Sequence, residues 1–278
     1  MSEWFRANRL PLVILLAGGL MYANLSRHIF ERPSVRSSEE MTVVTPAPLQ
    51  LLFAAGDRYL AANIATFRAL TVGVHELKPE TYHVLAQVQL RAAMLNPRQE
   101  DNYYTASAIL PWNGQYQPAQ QVLQRATDAR LNDAMPPFFH GFNRYYFERD
   151  YIGAGKDMIV AANRSEPVNR SALSSIAARW FERGYQPKEA LAMIDGMAKQ
   201  SANPQLTRIL QARSQRLKGL LALREATERF EQKTGRKPAK LEELLTSGVL
   251  SALPQDPLGA GYTLRADGEP DIVRPKKP

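Results

Sequence analysis

Residues able to carry acid–base, nucleophilic or metal chemistry are few and scattered in this chain. The four histidines, His28, His75, His83 and His140, lack the spacing of a metal site, and the 278 residues include no cysteine. Without cysteine, disulfides, Cys-ligated zinc, iron–sulfur centres and thiol catalysis are excluded. No motif for phosphate binding, a serine nucleophile or a zinc protease occurs. We therefore expect a protein that is not an enzyme and that uses no cofactor or metal.

Aromatic residues accompanied by asparagine and arginine are the strongest candidates for binding. Segment 136–147 is the densest aromatic stretch of the chain, and its side chains cannot all point into a core. Aromatics and arginine are the usual anchors of protein interfaces. For each candidate, a place in the core is the competing interpretation. The candidates for a partner-binding surface are Tyr103, Tyr104, Trp112, Asn143, Arg144 and Tyr146.

The N-terminal segment is strongly apolar. Residues 10–26 contain no charged side chain and lie between Arg9 and Arg27. As a helix they would be about 25 Å long, close to the lower limit for crossing a bilayer. We predict one transmembrane anchor over residues 1–30, with lipid contact through residues 10–26. The alternatives are a cleaved signal peptide, for which residues 17–19 supply small side chains, and a buried soluble helix.

Composition divides the rest of the chain into three parts. Residues 31–48 combine proline, serine and mixed charge without periodicity, which predicts a linker. From 49 to 204, apolar residues recur every three or four positions and are interrupted by glycine or proline, which predicts a series of short helices. Residues 205–278 are predicted to be a capping helix followed by a small C-terminal module.

A short phrase recurs within the helical part. In each copy a glycine or aspartate and a tyrosine are followed by an alanine, and these alanines are Ala119, Ala154 and Ala190. The copies are 35 and 36 residues apart, counted between the alanines. Turn residues and small side chains at such a period favour pairs of helices whose backbones approach closely. The spacing therefore predicts a repeat architecture.

These three copies resemble the tetratricopeptide-repeat (TPR) family over about residues 66–200. The resemblance implies an all-α array of paired antiparallel helices in which the first helix of each pair lines a concave, partner-binding side. The Trp and Leu-Gly that the family carries in its first helix are missing, and Pro111 stands where a first helix should end. The resemblance also implies a protein partner.

The predicted capping helix spans 205–233 and is basic. Ten Lys or Arg stand against three Glu between residues 205 and 240, so most of the net charge of +8 is concentrated there. The alternatives are a solvated helix face and contact with anionic lipid head groups or an acidic partner. Nucleic acid is not expected as a partner, because the basic residues are not interleaved with aromatics.

The tail of the chain is predicted to contain a short helix closed by Gly248, a proline-rich loop, and a β-hairpin that turns at residues 267–268. Its Pro-x-Asp-Pro-x-Gly-x-x-Tyr wording resembles the C-terminal segment of type II secretion major pseudopilins and the tails of bacterial membrane-anchored TPR proteins. In the pseudopilins the neighbouring loop can bind calcium. The acids here lack an EF-hand spacing, so we expect structural turns at these positions: Asp256, Asp267, Glu269 and Asp271.

These features predict a membrane-anchored scaffold or assembly factor of a bacterial envelope complex. A single N-terminal anchor usually translocates the chain on its C-terminal side, so we expect an inner-membrane protein with most of the chain in the periplasm. The alternatives are a structural accessory subunit that binds through its transmembrane helix, and an enzyme accessory that binds an envelope polymer.

Overall fold

A computed structural model describes residues 9–30, 43–72 and 77–273. The chain divides into two compact units, Met1–Glu40 and Met41–Pro278. The helices are α1 (Arg9–Phe30), α2 (Ala47–Phe53), α3 (Arg58–Leu70), α4 (Pro79–Leu95), α5 (Glu100–Ile109), α6 (Tyr116–Ala129), α7 (Met135–Asn143), α8 (Tyr151–Asn163), α9 (Pro167–Gly184), α10 (Pro187–Gln200), α11 (Pro204–Thr234) and α12 (Glu243–Thr246), and the strands are β1 (Tyr262–Leu264) and β2 (Pro270–Ile272). The prediction of a mostly helical chain is confirmed.

The first unit is described as α1, a helix of 22 residues. Its described side chains, from residue 14 to residue 27, are almost all exposed. In the part of the chain that the structure describes, no helix has the length and apolar character required to cross a membrane. The residues before Arg9 and most of the predicted linker lie outside the described ranges.

Proline and capping side chains set the starts of the helices in the second unit. Proline occupies the first turn of α2, α4, α7, α9, α10 and α11, where its missing N–H breaks no helical hydrogen bond. Asp57, Asp150 and Asn203 cap α3, α8 and α11 by accepting hydrogen bonds from backbone N–H groups. Consecutive helices from α3 to α11 pack on one another.

The core consists of successive clusters along the helices. Leu85 and Leu123 lie in a cluster built by α3 to α6, and Phe181 lies in one built mainly by α7, α8 and α9. Leu210 belongs to a cluster of α9, α10 and α11, and Leu244 joins the C-terminal module to the end of α11. Each of these clusters is therefore shared by helices that lie close together in the chain.

The three repeat alanines occupy equivalent places. Ala119, Ala154 and Ala190 are each the fourth residue of their helix, in α6, α8 and α10, and each is 0% exposed. Next to Ala154, a Cβ atom added to Gly155 would lie 2.7 Å from Cδ1 and 3.0 Å from Cζ of Phe181 on α9. The absence of a side chain at Gly155 therefore lets α8 and α9 approach closely.

The C-terminal module contains the predicted elements. A left-handed residue, Gly248 (φ 73°), follows α12. The antiparallel strands pair Tyr262 with Ile272, and the connecting turn places Gly268 at φ 78°, a conformation that glycine adopts without steric cost. The hairpin and its turn therefore follow from local turn chemistry.

A charged cluster holds this module against α11 and α9. Arg216 Nε lies 3.0 Å from Asp256 Oδ1 and its Nη1 lies 3.3 Å from Glu182 Oε1, while Arg213 also binds Glu182. The Tyr262 hydroxyl donates to the Arg216 carbonyl at 2.9 Å. Burial opposes ionisation of Asp256, but backbone N–H groups and Arg216 outweigh it and hold the pKa of this carboxyl below its ordinary value. Asp256 thus has a structural role in the loop.

Most basic side chains of segment 205–240 have partners within the chain. They bind carboxylates or backbone carbonyls, and several of those partners lie in the C-terminal module. Contact of this segment with anionic lipids stays a prediction. The basic residues with such partners are Arg213, Arg216, Lys218, Arg224, Lys233, Arg236 and Lys237.

Candidate partner-binding surface

Four aromatic side chains form a partly exposed cluster where α5 and α7 end. The ring centroid of Trp112 lies 5.1 Å from those of Tyr146 and Phe147, and Phe142 stacks on Tyr146 at 5.9 Å. Trp112 is 52% exposed and Tyr146 is 53% exposed. These four residues are termed the aromatic surface. Trp112 and Tyr146 are sequence candidates that the fold brings together, whereas Phe142 and Phe147 were not among the candidates.

Two irregular turns create this surface. Pro111–Asn113 forms a single 3₁₀ turn after α5, and Gly114 ends it at φ 75°. After α7, the segment Arg144–Glu148 forms a π-helical turn, which Arg149 closes at φ 58°. A π-helical turn shifts side chains relative to a regular helix and is frequent at functional sites. Both turns lie outside the regular α-helices, and together they bring Trp112, Tyr146 and Phe147 into contact at a partly exposed position.

The π-helical turn also distributes its two tyrosines to different sides. Tyr145 stacks on Trp180 with ring centroids 4.7 Å apart, and its hydroxyl accepts a hydrogen bond from Arg183 Nη1 at 3.0 Å. Tyr146 points instead into the aromatic surface. One tyrosine therefore fixes the turn to α9 and leaves the other available.

An ionic cluster supports the turn from α8. Arg144 Nε lies 3.4 Å from Asp150 Oδ2, and its Nη1 lies 3.3 Å from Asp157 Oδ2. His140 Nδ1 is 2.8 Å from the same Asp157 oxygen. Within the described ranges, no three His, Cys, Asp or Glu side chains are grouped to hold a metal ion. Arg144 is therefore committed to a structural cluster beside the aromatic surface.

Asn143 is buried in the protein interior and is not part of the aromatic surface. It is 2% exposed and its Nδ2 donates to Gln120 Oε1 at 3.2 Å. Gln120 Nε2 in turn donates to the His140 carbonyl at 3.2 Å. This chain of amide hydrogen bonds joins α6 to α7, so Asn143 positions the helices and presents no surface of its own.

Tyr103 lies in the core cluster that contains Leu85 and Leu123, and Tyr104 packs against that cluster. Tyr103 is 1% exposed, and its hydroxyl donates to Asp133 Oδ2 at 2.8 Å. Burial and the Asp133 carboxylate raise the pKa of Tyr103 above its ordinary value. Tyr104 stacks on Tyr103 with centroids 4.7 Å apart. Neither residue belongs to the aromatic surface.

Two arginines that were not among the sequence candidates link successive loops. Arg130 Nη1 donates to the carbonyl of Arg98 at 2.7 Å, and Arg164 Nη1 donates to those of Thr127 at 3.0 Å and Asp133 at 3.3 Å. Each arginine follows the last residue of a helix and reaches back to the preceding loop, and Arg164 also reaches the last turn of α6 at Thr127. The signal in the sequence is a basic residue recurring at 98, 130 and 164, just after a helical stretch.

No protein-family model, curated protein or solved structure matches the chain. Its class is that of a mostly helical protein with a small C-terminal hairpin.

Proposed function

We propose that this protein is a membrane-anchored scaffold that binds a protein partner through the aromatic surface. The observation that carries the proposal is the exposure of Trp112 and Tyr146, each about half exposed and in contact with the other. Large aromatic side chains that remain exposed are the residues from which interfaces gain most binding energy. Their support by Arg144 and Asp157 fixes the surface before the partner binds, which lowers the entropic cost of binding.

We also propose that α5 to α10 form three TPR-like helix pairs, with α11 as the capping helix. The second helices of the proposed pairs, α6, α8 and α10, begin at residues 116, 151 and 187, which are 35 and 36 positions apart. The equivalent buried alanines and the arginines that join successive loops support this arrangement. In such a repeat array, each pair contacts mainly its neighbours.

The membrane anchor is proposed from the sequence. The uncharged stretch 10–26 supports an anchor, and most of the chain would then lie in the periplasm of a bacterial cell, held at the inner membrane. Tethering near the membrane would raise the local concentration of the scaffold around a membrane-bound partner.

The proposal is tested by co-purification from detergent-solubilised membranes. We expect the wild-type chain to retain a stoichiometric protein partner. We expect Trp112→Ala to bind that partner at least about tenfold more weakly, because an aromatic anchor contributes more than about 1.4 kcal/mol to binding. Val168→Ala is the matched control, because Val168 is an 82% exposed residue of α9 that is not part of the aromatic surface. A wild-type chain that runs alone as a monodisperse monomer would refute the scaffold.

A second experiment distinguishes a scaffold that binds its partner through the second unit from an accessory subunit that binds through its anchor. Residues 1–30 are replaced by an unrelated transmembrane segment, and the partner is again recovered from detergent. Retention of the partner supports binding through the second unit. Loss of the partner in this chimera, with retention in Trp112→Ala, would favour binding through the anchor.

A further inference from the structure

The helix α3 is packed with its small residues inward and its large apolar residues outward. The residues it buries are Ala61, Ala62, Ala65, Thr66 and Ala69. A helix of a soluble domain usually buries its largest apolar side chains. The large apolar side chains that α3 exposes are Tyr59, Leu60, Ile64, Phe67 and Leu70.

Three of the exposed residues form one stripe along α3. Leu60, Ile64 and Phe67 follow one another at spacings of four and three, which places them on one face of a helix. They are 46%, 51% and 69% exposed, respectively. These three residues therefore form a continuous apolar stripe. The helix packs on the rest of the domain through its opposite face, so no described residue covers the stripe.

The preceding helix α2 extends this face. Leu52 and Phe53 are each 72% exposed. Phe53 and Ile64 line one small cavity of about 90 Å³ together with Arg68, so the two helices share a surface. The exposed apolar residues of α2 and α3 are termed the α2–α3 face.

Arg68 places positive charge beside the α2–α3 face, where it lines the same small cavity as Phe53 and Ile64, whereas Arg58 Nε donates to the Leu95 carbonyl at 2.6 Å on the buried side of α3. Segment 43–72 contains Arg58 and Arg68 and a single acid, Asp57. The Asp57 carboxylate is occupied, because its Oδ1 accepts the backbone N–H groups of Tyr59 and Leu60 at 2.8 and 3.2 Å. An apolar face that carries aromatic residues and has a basic residue beside it is typical of helices that lie in the interface of a membrane.

We infer that the α2–α3 face binds the surface of a lipid bilayer, a second lipid contact that rests on the proposed membrane anchor. Phe30, the last residue of α1, and Ala47, the first residue of α2, are 17 positions apart. A chain of that length spans at most about 60 Å, so the face stays within reach of the bilayer that holds the anchor. The positive charge of Arg68 beside the face favours anionic lipid, whereas a second copy of the chain would bring two such positive charges together.

The test uses the absence of cysteine from the chain. A single cysteine is introduced as Ile64→Cys or Phe67→Cys in the full chain, and an environment-sensitive fluorophore is attached to it. Val168→Cys is the control, because Val168 is exposed on α9 outside the α2–α3 face. The labelled chains are reconstituted into vesicles of phosphatidylcholine and phosphatidylglycerol that contain nitroxide-labelled lipid, and incorporation is checked by flotation.

We expect lipid quenching several-fold stronger at positions 64 and 67 than at 168, with a blue-shifted emission at those two sites. Chains that float while all three labels stay equally accessible to water overturn the inference and leave the anchor intact. Labels that are shielded from water in the vesicles but not quenched by the nitroxide-labelled lipid also overturn it, because the chain itself then covers the face. Shielding that appears in detergent only at high protein concentration overturns it as well, because a second copy then covers the face. Chains that do not float overturn both the anchor and the inference. Loss or retention of the protein partner in Trp112→Ala is a separate readout that none of these outcomes changes.

Discussion

Replacing Gly155 by alanine tests the close approach of α8 and α9. The added methyl group would lie 2.7 Å from Cδ1 of Phe181, and the Phe181 ring is only 1% exposed, so it has no open space to move into. Overpacking of a core typically costs about 1–3 kcal/mol. Alanine also stabilises a helix interior by about 1 kcal/mol relative to glycine, so the net change alone would not isolate the packing contribution.

Gly196→Ala supplies the matched control. Gly196 lies within α10, and a Cβ atom placed there meets nothing within 4 Å. We expect Gly196→Ala to show the helix-propensity gain alone, and Gly155→Ala to be less stable than this control by about 1–3 kcal/mol. For a domain of this size each kcal/mol corresponds to about 2–4 °C in melting temperature.

The measurement is urea unfolding of the purified chain in detergent, followed by circular dichroism. In a Phe181→Leu background, the penalty of Gly155→Ala should shrink, because the smaller side chain removes the atoms that the methyl group meets. Equal stabilisation by Gly155→Ala and Gly196→Ala would refute the described contact of α8 with α9. So would a penalty that is the same with phenylalanine or leucine at position 181.

Further predictions concern other buried positions. Ala154→Leu should lower the melting temperature by about 2–12 °C through overpacking of about 1–3 kcal/mol, and Ala47→Leu, in the half-buried first turn of α2, should lower it less; equal effects would argue against the proposed repeat packing. Asp256→Asn should lose about 1–3 kcal/mol at pH 7 in urea unfolding. Because the folded-state pKa of Asp256 is depressed, wild-type stability should fall as the pH drops below about 4, and the difference from the variant should shrink there. Gln89→Met should raise the melting temperature by about 2–4 °C, since Gln89 is 0% exposed and both its amide atoms lack a partner; an unchanged or lower value would mean that the amide is satisfied.

Features with a local cause could be predicted from the sequence. The phrases that end in Ala119, Ala154 and Ala190 predicted buried small residues, and all three became the fourth residue of a helix. Gly248 and Gly268 predicted turns and adopt left-handed backbone conformations. Turn residues and helical periodicity act over a few positions, so the sequence by itself determines these elements.

The candidate surface depended on contacts that the sequence does not display. Tyr103 and Trp112 are both aromatic, yet one is 1% exposed and the other 52%. The difference arises because α5 carries Tyr103 into the first core cluster, whereas Trp112 follows Pro111 into a turn outside the helix. Spacing assigns residues to a helix, but neighbouring helices decide which of its faces is covered.

The tertiary structure also decided which partners the charged residues bind. The basic character of segment 205–240 is evident in the sequence, but its partners Glu182 and Asp256 lie 31 and 40 residues away from Arg213 and Arg216. The orientation of α3, with alanines buried and Phe67 exposed, also depends on packing. Sequence determined which residues are charged or apolar, and only the tertiary structure decided which of them meet, because helices separated along the chain come together only when the whole domain folds.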